Sequence, residues 1–136
     1  MDVITEPIKR KILIVDDEPA IRDVLGRMIR RMNFEPLCAE NGAEALELFG
    51  AHQSEIDLAI IDYTMPGMDG TEVLRRIRAL RGDIIVIFSS GLSEADIRGV
   101  QEEASKEGFA PNAFLQKPFR LSEFQKTLQD VMGNGV

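Results

Sequence analysis

Lys-Ile-Leu-Ile-Val-Asp-Asp at residues 11–17 is a mostly apolar run that ends in two aspartates. Ile-Asp-Leu-Ala-Ile-Ile-Asp at residues 56–62 is a second such run, and it ends in one aspartate. Nearly continuous Ile, Leu and Val is typical of a strand covered by helices on both faces. Longer amphipathic segments separate such runs along the chain, and this alternation predicts an α/β fold with a parallel sheet. If the strands are neighbours, their acidic ends meet at one edge of the sheet.

The pattern predicts five strands that alternate with five helices. The predicted strands are Lys11–Val15, Glu35–Ala39, Leu58–Ile61, Ile84–Ser89 and Ala113–Gln116. The first helix should begin near Pro19, which suits a first turn, and it contains Gly26, for which the sequence offers no account. Its apolar stripe, spaced at i, i+3 and i+4, comprises Ile21, Val24, Leu25, Met28, Ile29 and Met32.

The other four helices each carry a predicted buried face. The third should stop near Gly82, the fourth should run from an N-cap at Ser93 to about Gly108, and the last should span 121–132. The expected buried residues are Ala45, Leu46 and Phe49; Val73, Leu74, Ile77 and Leu80; Ile97, Val100 and Ala104; and Leu121, Phe124, Leu128 and Val131.

Composition excludes several classes of protein. The 136 residues suit one domain, which we place at 11–132 between a flexible lead-in at 1–10 and a frayed tail at 133–136. A net charge of −7 disfavours direct binding of nucleic acid. Cys38 is the only cysteine and is expected to be a small buried hydrophobe. Apolar runs are too short to cross a membrane, and no signal peptide is evident, so we expect a cytoplasmic protein.

Asp16, Asp17 and Asp62 together favour a cation site, because crowded carboxylates repel one another unless a cation binds them. Lys117 follows the fifth strand and would lie at the same edge. A hard cation beside a lysine suits phosphate, and Mg²⁺ is the preferred ion where phosphate also binds. Asp62 could then attack phosphorus, assisted by Lys117 and by one of the hydroxyls of Ser89 and Ser90.

Each of these motifs alone has an ordinary structural explanation. An Asp-Asp pair after a strand is usually part of a loop, Met-Pro-Gly-Met-Asp-Gly at 65–70 can serve only as a turn, and Lys-Pro is a common dipeptide. Their combination at one edge, in this order, favours a functional site.

Four motifs resemble the receiver domain of two-component response regulators over about residues 10–132. They are Val-Asp-Asp-Glu (15–18), Asp-Tyr-Thr-Met-Pro-Gly-Met-Asp-Gly (62–70), Ser-Ser-Gly (89–91) and Phe-Leu-Gln-Lys-Pro-Phe (114–119). The resemblance implies a flavodoxin-like, doubly wound five-stranded parallel sheet in the order 2-1-3-4-5. The residues of the last two motifs most resemble those of receivers attached to hybrid histidine kinases.

The resemblance also implies roles for individual residues. Asp62 is the implied phosphoacceptor, and Asp17 is the implied direct ligand of Mg²⁺, with Asp16 binding through water. The carbonyl of Thr64 would add a ligand, and Lys117 would contact the phosphoryl group. The bond from Lys117 to Pro118 is expected to be cis.

The switch residues that the resemblance implies leave two alternatives open. An ungapped alignment with typical family members from Asp62 onward places Ser90 at the hydroxyl position and Gly91 at the small residue after it. Alignment of the hydrophobic strand instead places Ser89 at the hydroxyl position. Phe114 occupies the position of an aromatic residue that swings inward in relatives, but it can equally be a fixed core ring.

Two departures from the family's pattern lie between the fourth strand and Lys117. About five additional residues fall within 102–112, so the fourth helix or the following loop should be longer than usual. The segment Gly-Phe-Ala-Pro-Asn-Ala at 108–113 replaces the usual Gly-Ala pair. The usual mode of dimerisation or target binding is therefore in doubt.

The resulting hypothesis is a stand-alone receiver that a histidine kinase or histidine phosphotransfer protein phosphorylates on Asp62. It would signal to an unknown protein target as a monomer or weak homodimer, without turning over a separate substrate. One alternative is an aspartyl-phosphate phosphatase or phosphotransferase. The other is an interaction module with a relict acidic pocket.

Overall fold

A computed structural model describes residues 10–133 as a five-stranded parallel sheet with helices on both faces. The strand order is β2-β1-β3-β4-β5, which confirms the predicted fold. Apart from Arg10 and Gly133, the predicted lead-in and tail lie outside the described residues. The elements are β1 (Lys11–Val15), α1 (Pro19–Arg31), β2 (Glu35–Ala39), α2 (Gly42–His52), β3 (Ile56–Asp62), α3 (Gly70–Leu80), β4 (Ile85–Ser90), α4 (Glu94–Glu107), β5 (Ala113–Gln116) and α5 (Leu121–Met132).

Side chains that alternate along each strand build two hydrophobic cores. In β1, Leu13 and Val15 pack on the face covered by α2 and α3, while Ile12 and Ile14 pack on the face covered by α1 and α5. Successive strand residues point to opposite faces, so a strand buried on both sides reads as continuous Ile, Leu and Val. The same alternation decides, at the carboxyl end of each strand, which polar residues share a face.

Polar residues cap the helices that begin near the carboxyl edge of the sheet. The side chain of Asp69 accepts a hydrogen bond from the backbone N–H of Glu72 at the start of α3, at 2.9 Å. Ser93 caps α4 in the same way, and Gly108 ends it in the left-handed conformation, which confirms both predicted bounds. Pro19 occupies the first turn of α1, also as predicted.

The bounds of two strands differ from the prediction. β3 begins at Ile56 and includes Asp62, and β4 is Ile85–Ser90 rather than residues 84–89. The physical reason is pairing, since Asp62 pairs with Ser89 and Ser90 with Gln116 across neighbouring strands. α3 ends at Leu80 with Arg81 as its C-cap, so it stops near Gly82 as predicted.

Three predicted core residues are exposed. Val24 is 46% exposed because α1 covers the sheet with Leu25 and Ile29 and leaves Val24 beside an open groove. Leu80 is 50% exposed at the last position of α3. Cys38, predicted to be buried, is exposed because β2 is an edge strand that no further strand of residues 10–133 covers. Within residues 10–133, no helix combines the length and the apolar character that a membrane span requires.

Candidate functional site

Three carboxylates converge at the carboxyl edge of the sheet. Asp16 and Asp17 follow β1, Asp62 ends β3, and these strands are neighbours. One carboxylate oxygen from each of the three lies within 4.8 Å of the others. Asp16 is 1% exposed and Asp62 is 5% exposed, whereas Asp17 is open to solvent. The arrangement presents oxygen ligands at a spacing that a single cation can bridge.

Lys117 brings the opposite charge to this cluster. Its Nζ lies 2.9 Å from Oδ2 of Asp16 and 3.5 Å from Oδ2 of Asp62. The backbone N–H of Lys117 donates to the carbonyl of Ser90 at 2.7 Å, which fixes the end of β5 beside β4. The peptide bond from Lys117 to Pro118 is cis.

Burial and charge shift the pKa values of Asp62 and Lys117. Burial raises the pKa of Asp62 above its ordinary value, the charge of Lys117 opposes this, and Asp16 raises it further. Burial acts to lower the pKa of Lys117, but its hydrogen bond to Asp16 and the charges of Asp16 and Asp62 raise it overall. The ammonium therefore stays charged, while ionised Asp62 is short of compensating positive charge.

A tight backbone turn holds Asp62 in position. Its Oδ1 accepts a hydrogen bond from the N–H of Thr64 at 3.2 Å. The N–H of Gly70 donates to the carbonyl of Tyr63 at 3.1 Å, which closes the loop onto the start of α3. A Cβ at Gly70 would lie 2.9 Å from the carbonyl oxygen of Asp62 and 2.9 Å from Cα of Tyr63. Only glycine allows this approach.

The two serines at the end of β4 have different surroundings. Both are 1% exposed. Oγ of Ser90 accepts a hydrogen bond from the N–H of Leu92 at 3.0 Å, across Gly91. Oγ of Ser89 is buried and has no hydrogen-bond partner among the described residues. The strand therefore leaves one hydroxyl paired and one unpaired.

Phe114 is half-buried and belongs to a row of three aromatic rings. Its ring meets that of Phe88 edge-on at 5.6 Å, and Phe88 in turn lies 5.4 Å from Tyr63. Phe88 is completely buried. The row connects the residue after Asp62 with β5.

Arg22 is a site residue that the apolar pattern of α1 does not single out. Its guanidinium donates to the carbonyl of Asp16 at 2.7 Å. The N–H of Glu18 donates to Oδ1 of Asp16 at 2.9 Å. Both contacts fix Asp16. The available sequence signal was the position of Arg22, in the first turn of α1 and six residues after Asp16.

Comparison with known proteins identifies relatives over nearly the whole chain. The response regulator receiver domain family matches residues 12–129. Sporulation initiation phosphotransferase F of Bacillus subtilis is 34% identical over 122 residues, which are 90% of this chain and 93% of that protein. Sensor kinase CckA of Brucella abortus is 35% identical over 122 residues, which are 89% of this chain but 12% of the kinase.

A solved structure shows the same fold. Response regulator protein TrrA of Thermotoga maritima, crystallised in complex with Mg²⁺ and BeF, is 32% identical and superposes with a TM-score of 0.75. The match covers 90% of this chain and 98% of that protein.

Proposed function

The chain belongs to the response regulator receiver domain family, a family of signalling modules, and on that premise we propose that Asp62 is its phosphoacceptor. The phosphoryl group would come from the phosphohistidine of a histidine kinase or phosphotransfer protein and would later be lost by hydrolysis. The observation that carries the proposal is the position of Asp62, nearly buried between further carboxylates and 3.5 Å from the ammonium of Lys117.

The donor set fits Mg²⁺. Three carboxylates offer hard oxygen ligands within 4.8 Å of one another, and an isolated cluster of this charge would be unfavourable. Asp17, Asp62 and the carbonyl of Thr64 would hold the ion, with Asp16 contributing through a water. Bound there, Mg²⁺ supplies positive charge that offsets the phosphoryl oxygens.

The reaction needs only one nucleophile from the protein. An oxygen of Asp62 attacks phosphorus, an O–P bond forms, and the P–N bond of phosphohistidine breaks. The leaving imidazole takes the electron pair and is reprotonated from solvent. The Asp62 turn holds the carboxylate in place through the N–H of Thr64, so orientation is set before the donor arrives.

Lys117 and Ser90 would receive the transferred group. The ammonium of Lys117 is already next to Asp62 and can follow the new negative charge onto the phosphoryl oxygens. Ser90 is the last residue of β4, and its Oγ accepts the N–H of Leu92, so its own proton remains available to donate to a phosphoryl group that stands beyond the ends of the strands. Gly91 leaves this approach open, because nothing lies within 4 Å of a Cβ built there.

A groove beside Lys117 is the proposed docking site for the phosphodonor. It has a volume of about 370 Å³ and lies between α1 and the segment that leads into α5. Its walls are mostly apolar and include the exposed Val24, which suits a partner helix. The groove is lined by Glu18, Ile21, Val24, Leu25, Lys117, Pro118 and Phe119.

Output would pass through protein binding near Phe114. This ring packs on Phe88 and lines a second groove with Ile97 and Gln116, between α4 and β5. Since phenylalanine has no hydroxyl, any response of this residue to phosphorylation must come from a change in packing.

Phosphorylation with acetyl phosphate tests the proposal. With Mg²⁺, the parent protein should gain one phosphoryl group, located on Asp62 by tandem mass spectrometry, and Asp62→Asn should gain none. Asp57→Asn, which changes a carboxylate near the other end of β3, should be labelled like the parent.

Three other outcomes would contradict the proposal. Sustained hydrolysis of a generic phosphate ester would indicate an aspartyl-phosphate phosphatase. No labelling at all would indicate a module with a relict pocket. Labelling that persists in Asp62→Asn would move the acceptor to another residue.

A further inference from the structure

Ser89 has a buried hydroxyl without a partner in this state of the molecule. The residue is 1% exposed, and no hydrogen bond reaches its Oγ from any described group. Burying an unpaired hydroxyl is unfavourable, and alanine would fill nearly the same space without that penalty. The hydroxyl would offset this penalty by pairing with an acceptor beside it in the sheet.

Strand alternation places Ser89 on the same face of the sheet as the acidic site. Phe88 packs into the core under α2 and α3, and Ile87 packs into the core under α1 and α5. Ser89 consequently faces the α1 and α5 side. By the same rule Asp62, two residues after Ile60, faces that side as well.

The strand register makes Ser89 and Asp62 direct neighbours. They are paired residues of β3 and β4, and neighbouring strands are about 5 Å apart. Rotation about the Cα–Cβ bond of Ser89 changes the direction of its hydroxyl without moving the backbone. A rotation of this kind is the only movement that the inference requires of Ser89.

Ser90 cannot serve the same purpose. As the next residue of the strand, it points to the opposite face, the one on which Phe114 packs against Phe88. Its Oγ also accepts a hydrogen bond from the N–H of Leu92, which holds it towards the segment that follows β4. The two serines are thus different parts of the site rather than alternatives for one role.

We propose that Ser89 is a positioning residue that acts through Asp62. Its hydroxyl donates a hydrogen bond to the carboxylate oxygen that does not bond to phosphorus, and this orients the other oxygen for attack. The O–P bond to Asp62 forms and the bond from phosphorus to the donor breaks as above, while Ser89 keeps its proton. The inference rests on the proposed phosphorylation of Asp62.

The geometry explains why such a donor is needed. Before the reaction, Oδ2 of Asp62 lies 3.5 Å from the ammonium of Lys117, and Oδ1 has only the N–H of Thr64 at 3.2 Å. Once Lys117 turns to the phosphoryl group, one carboxylate oxygen loses its nearest positive charge. Ser89 is the unpaired donor placed beside it.

The test compares Ser89→Ala with Ser89→Thr, which retains the hydroxyl. We expect Ser89→Ala to slow phosphorylation of Asp62 by acetyl phosphate and Mg²⁺ about tenfold, as loss of one hydrogen bond to a charged group predicts. Ser89→Thr should stay within about threefold of the parent. The decrease in rate caused by Ser89→Ala should be the same with phosphoramidate as the donor, because Ser89 acts through Asp62 and not through the leaving group.

Thermal unfolding without metal separates this role from a structural one. Ser89→Ala removes an unpaired hydroxyl, so its Tm should equal or exceed that of the parent. If Ser89→Thr fails to fold, Ser89→Cys, which has a similar volume and a weaker donor, should give an intermediate rate.

Two results would overturn the inference. One is a rate for Ser89→Ala within twofold of the parent. The other is a slower rate that a lower Tm accounts for. If the parent itself is not labelled on Asp62, the proposed function is wrong. A normal rate in Ser89→Ala refutes only the role of Ser89.

Discussion

Lys117 lies beside two buried carboxylates and supplies the positive charge that compensates them. Its Nζ is 2.9 Å from Asp16 and 3.5 Å from Asp62, and both acids are almost inaccessible to solvent. Removing one partner of a buried ion pair leaves a charge that water cannot reach. The lysine therefore stabilises the metal-free fold in addition to its proposed role with the phosphoryl group.

Lys117→Met should lower the free energy of unfolding by about 3 kcal/mol at neutral pH without metal. Mg²⁺ should restore part of this loss, because it replaces the missing positive charge. Chemical denaturation with and without Mg²⁺ measures both effects. Lys126→Met changes the net charge equally at an exposed position of α5 and should have little effect. Equal losses in the two variants would contradict the account.

Asp62 should destabilise the metal-free fold at neutral pH. Burial raises the pKa of Asp62 in the folded protein, in spite of Lys117. A raised folded pKa contributes stability below the unfolded value, which is about 4, and this contribution is lost as pH rises through the folded value. Asp62→Asn should thus raise the free energy of unfolding at neutral pH, and the gain should shrink towards about pH 4.

Urea unfolding in the presence of a chelator measures this gain. Asp57→Asn is the matched control, because Asp57 pairs with Arg10 and should show no gain at neutral pH. An Asp62→Asn protein that is no more stable than the parent at neutral pH would be inconsistent with the raised pKa.

Among the elements, α1 contains a glycine that the structure does not require. Gly26 is buried in the middle of the helix, and a Cβ built there would lie 3.8 Å from the nearest atom, Cγ of Pro36. That distance is ordinary van der Waals contact. Gly26→Ala should therefore stabilise the protein by up to about 1 kcal/mol, because alanine favours the helix.

Gly70→Ala is the contrasting substitution. Its Cβ would lie 2.9 Å from the backbone of Asp62 and Tyr63, so we expect a loss of about 2 kcal/mol. Thermal unfolding of the two variants tests the pair. Stabilisation by Gly70→Ala, or destabilisation by Gly26→Ala, would show that these local geometries are wrong.

The segment after α4 is tied to both β4 and α3 through Asn112. Its Oδ1 accepts from the buried N–H of Val86 at 2.9 Å and from the guanidinium of Arg78 at 2.8 Å. Its own N–H donates to the carbonyl of Val86 at 2.8 Å. The ring of Phe109 lies below the guanidinium of Arg75 at 5.3 Å. The unusual segment 108–112 is therefore an anchored connection.

Asn112→Ala should lower the free energy of unfolding by about 2 kcal/mol, since it leaves the N–H of Val86 buried and unpaired. Asn112→Asp keeps an acceptor in the same place and adds charge opposite Arg78, so it should be close to the parent. Amide hydrogen exchange at Val86 should be faster only in Asn112→Ala. Equal behaviour of the two variants would exclude the anchoring role.

The sequence predicted elements well where one physical rule dominates. Alternation of apolar runs and amphipathic segments gave the sheet and its helices, and Ser93 and Gly108 marked the ends of α4 by their capping chemistry. The exposure of Cys38 and Val24 does not follow from hydrophobic periodicity, because it depends on how much of the edge strand β2 and of α1 the neighbouring elements cover. The contact of Arg22 with Asp16 likewise requires the fold.

At the scale of the whole molecule, the sheet gathers at one edge groups that are distant along the chain. Four different strands or their ends contribute Asp16, Asp62, Ser89 and Lys117. The parallel pairing of neighbouring strands brings these residues together. The proposed donor groove and the Phe114 groove both open near that edge. Lys117 connects Asp62 with the first of these grooves, and the rings of Tyr63, Phe88 and Phe114 connect the residue after Asp62 with the second.

A crystal structure with Mn²⁺ in place of Mg²⁺ and with beryllofluoride as a phosphoryl mimic would locate the metal and the phosphoryl position in one experiment. We expect one anomalous peak bound by Asp17, Asp62 and the carbonyl of Thr64, with beryllofluoride on Asp62 and within hydrogen-bonding distance of Lys117. A metal bound elsewhere, or beryllofluoride absent from Asp62 in the presence of the metal, would contradict this expectation.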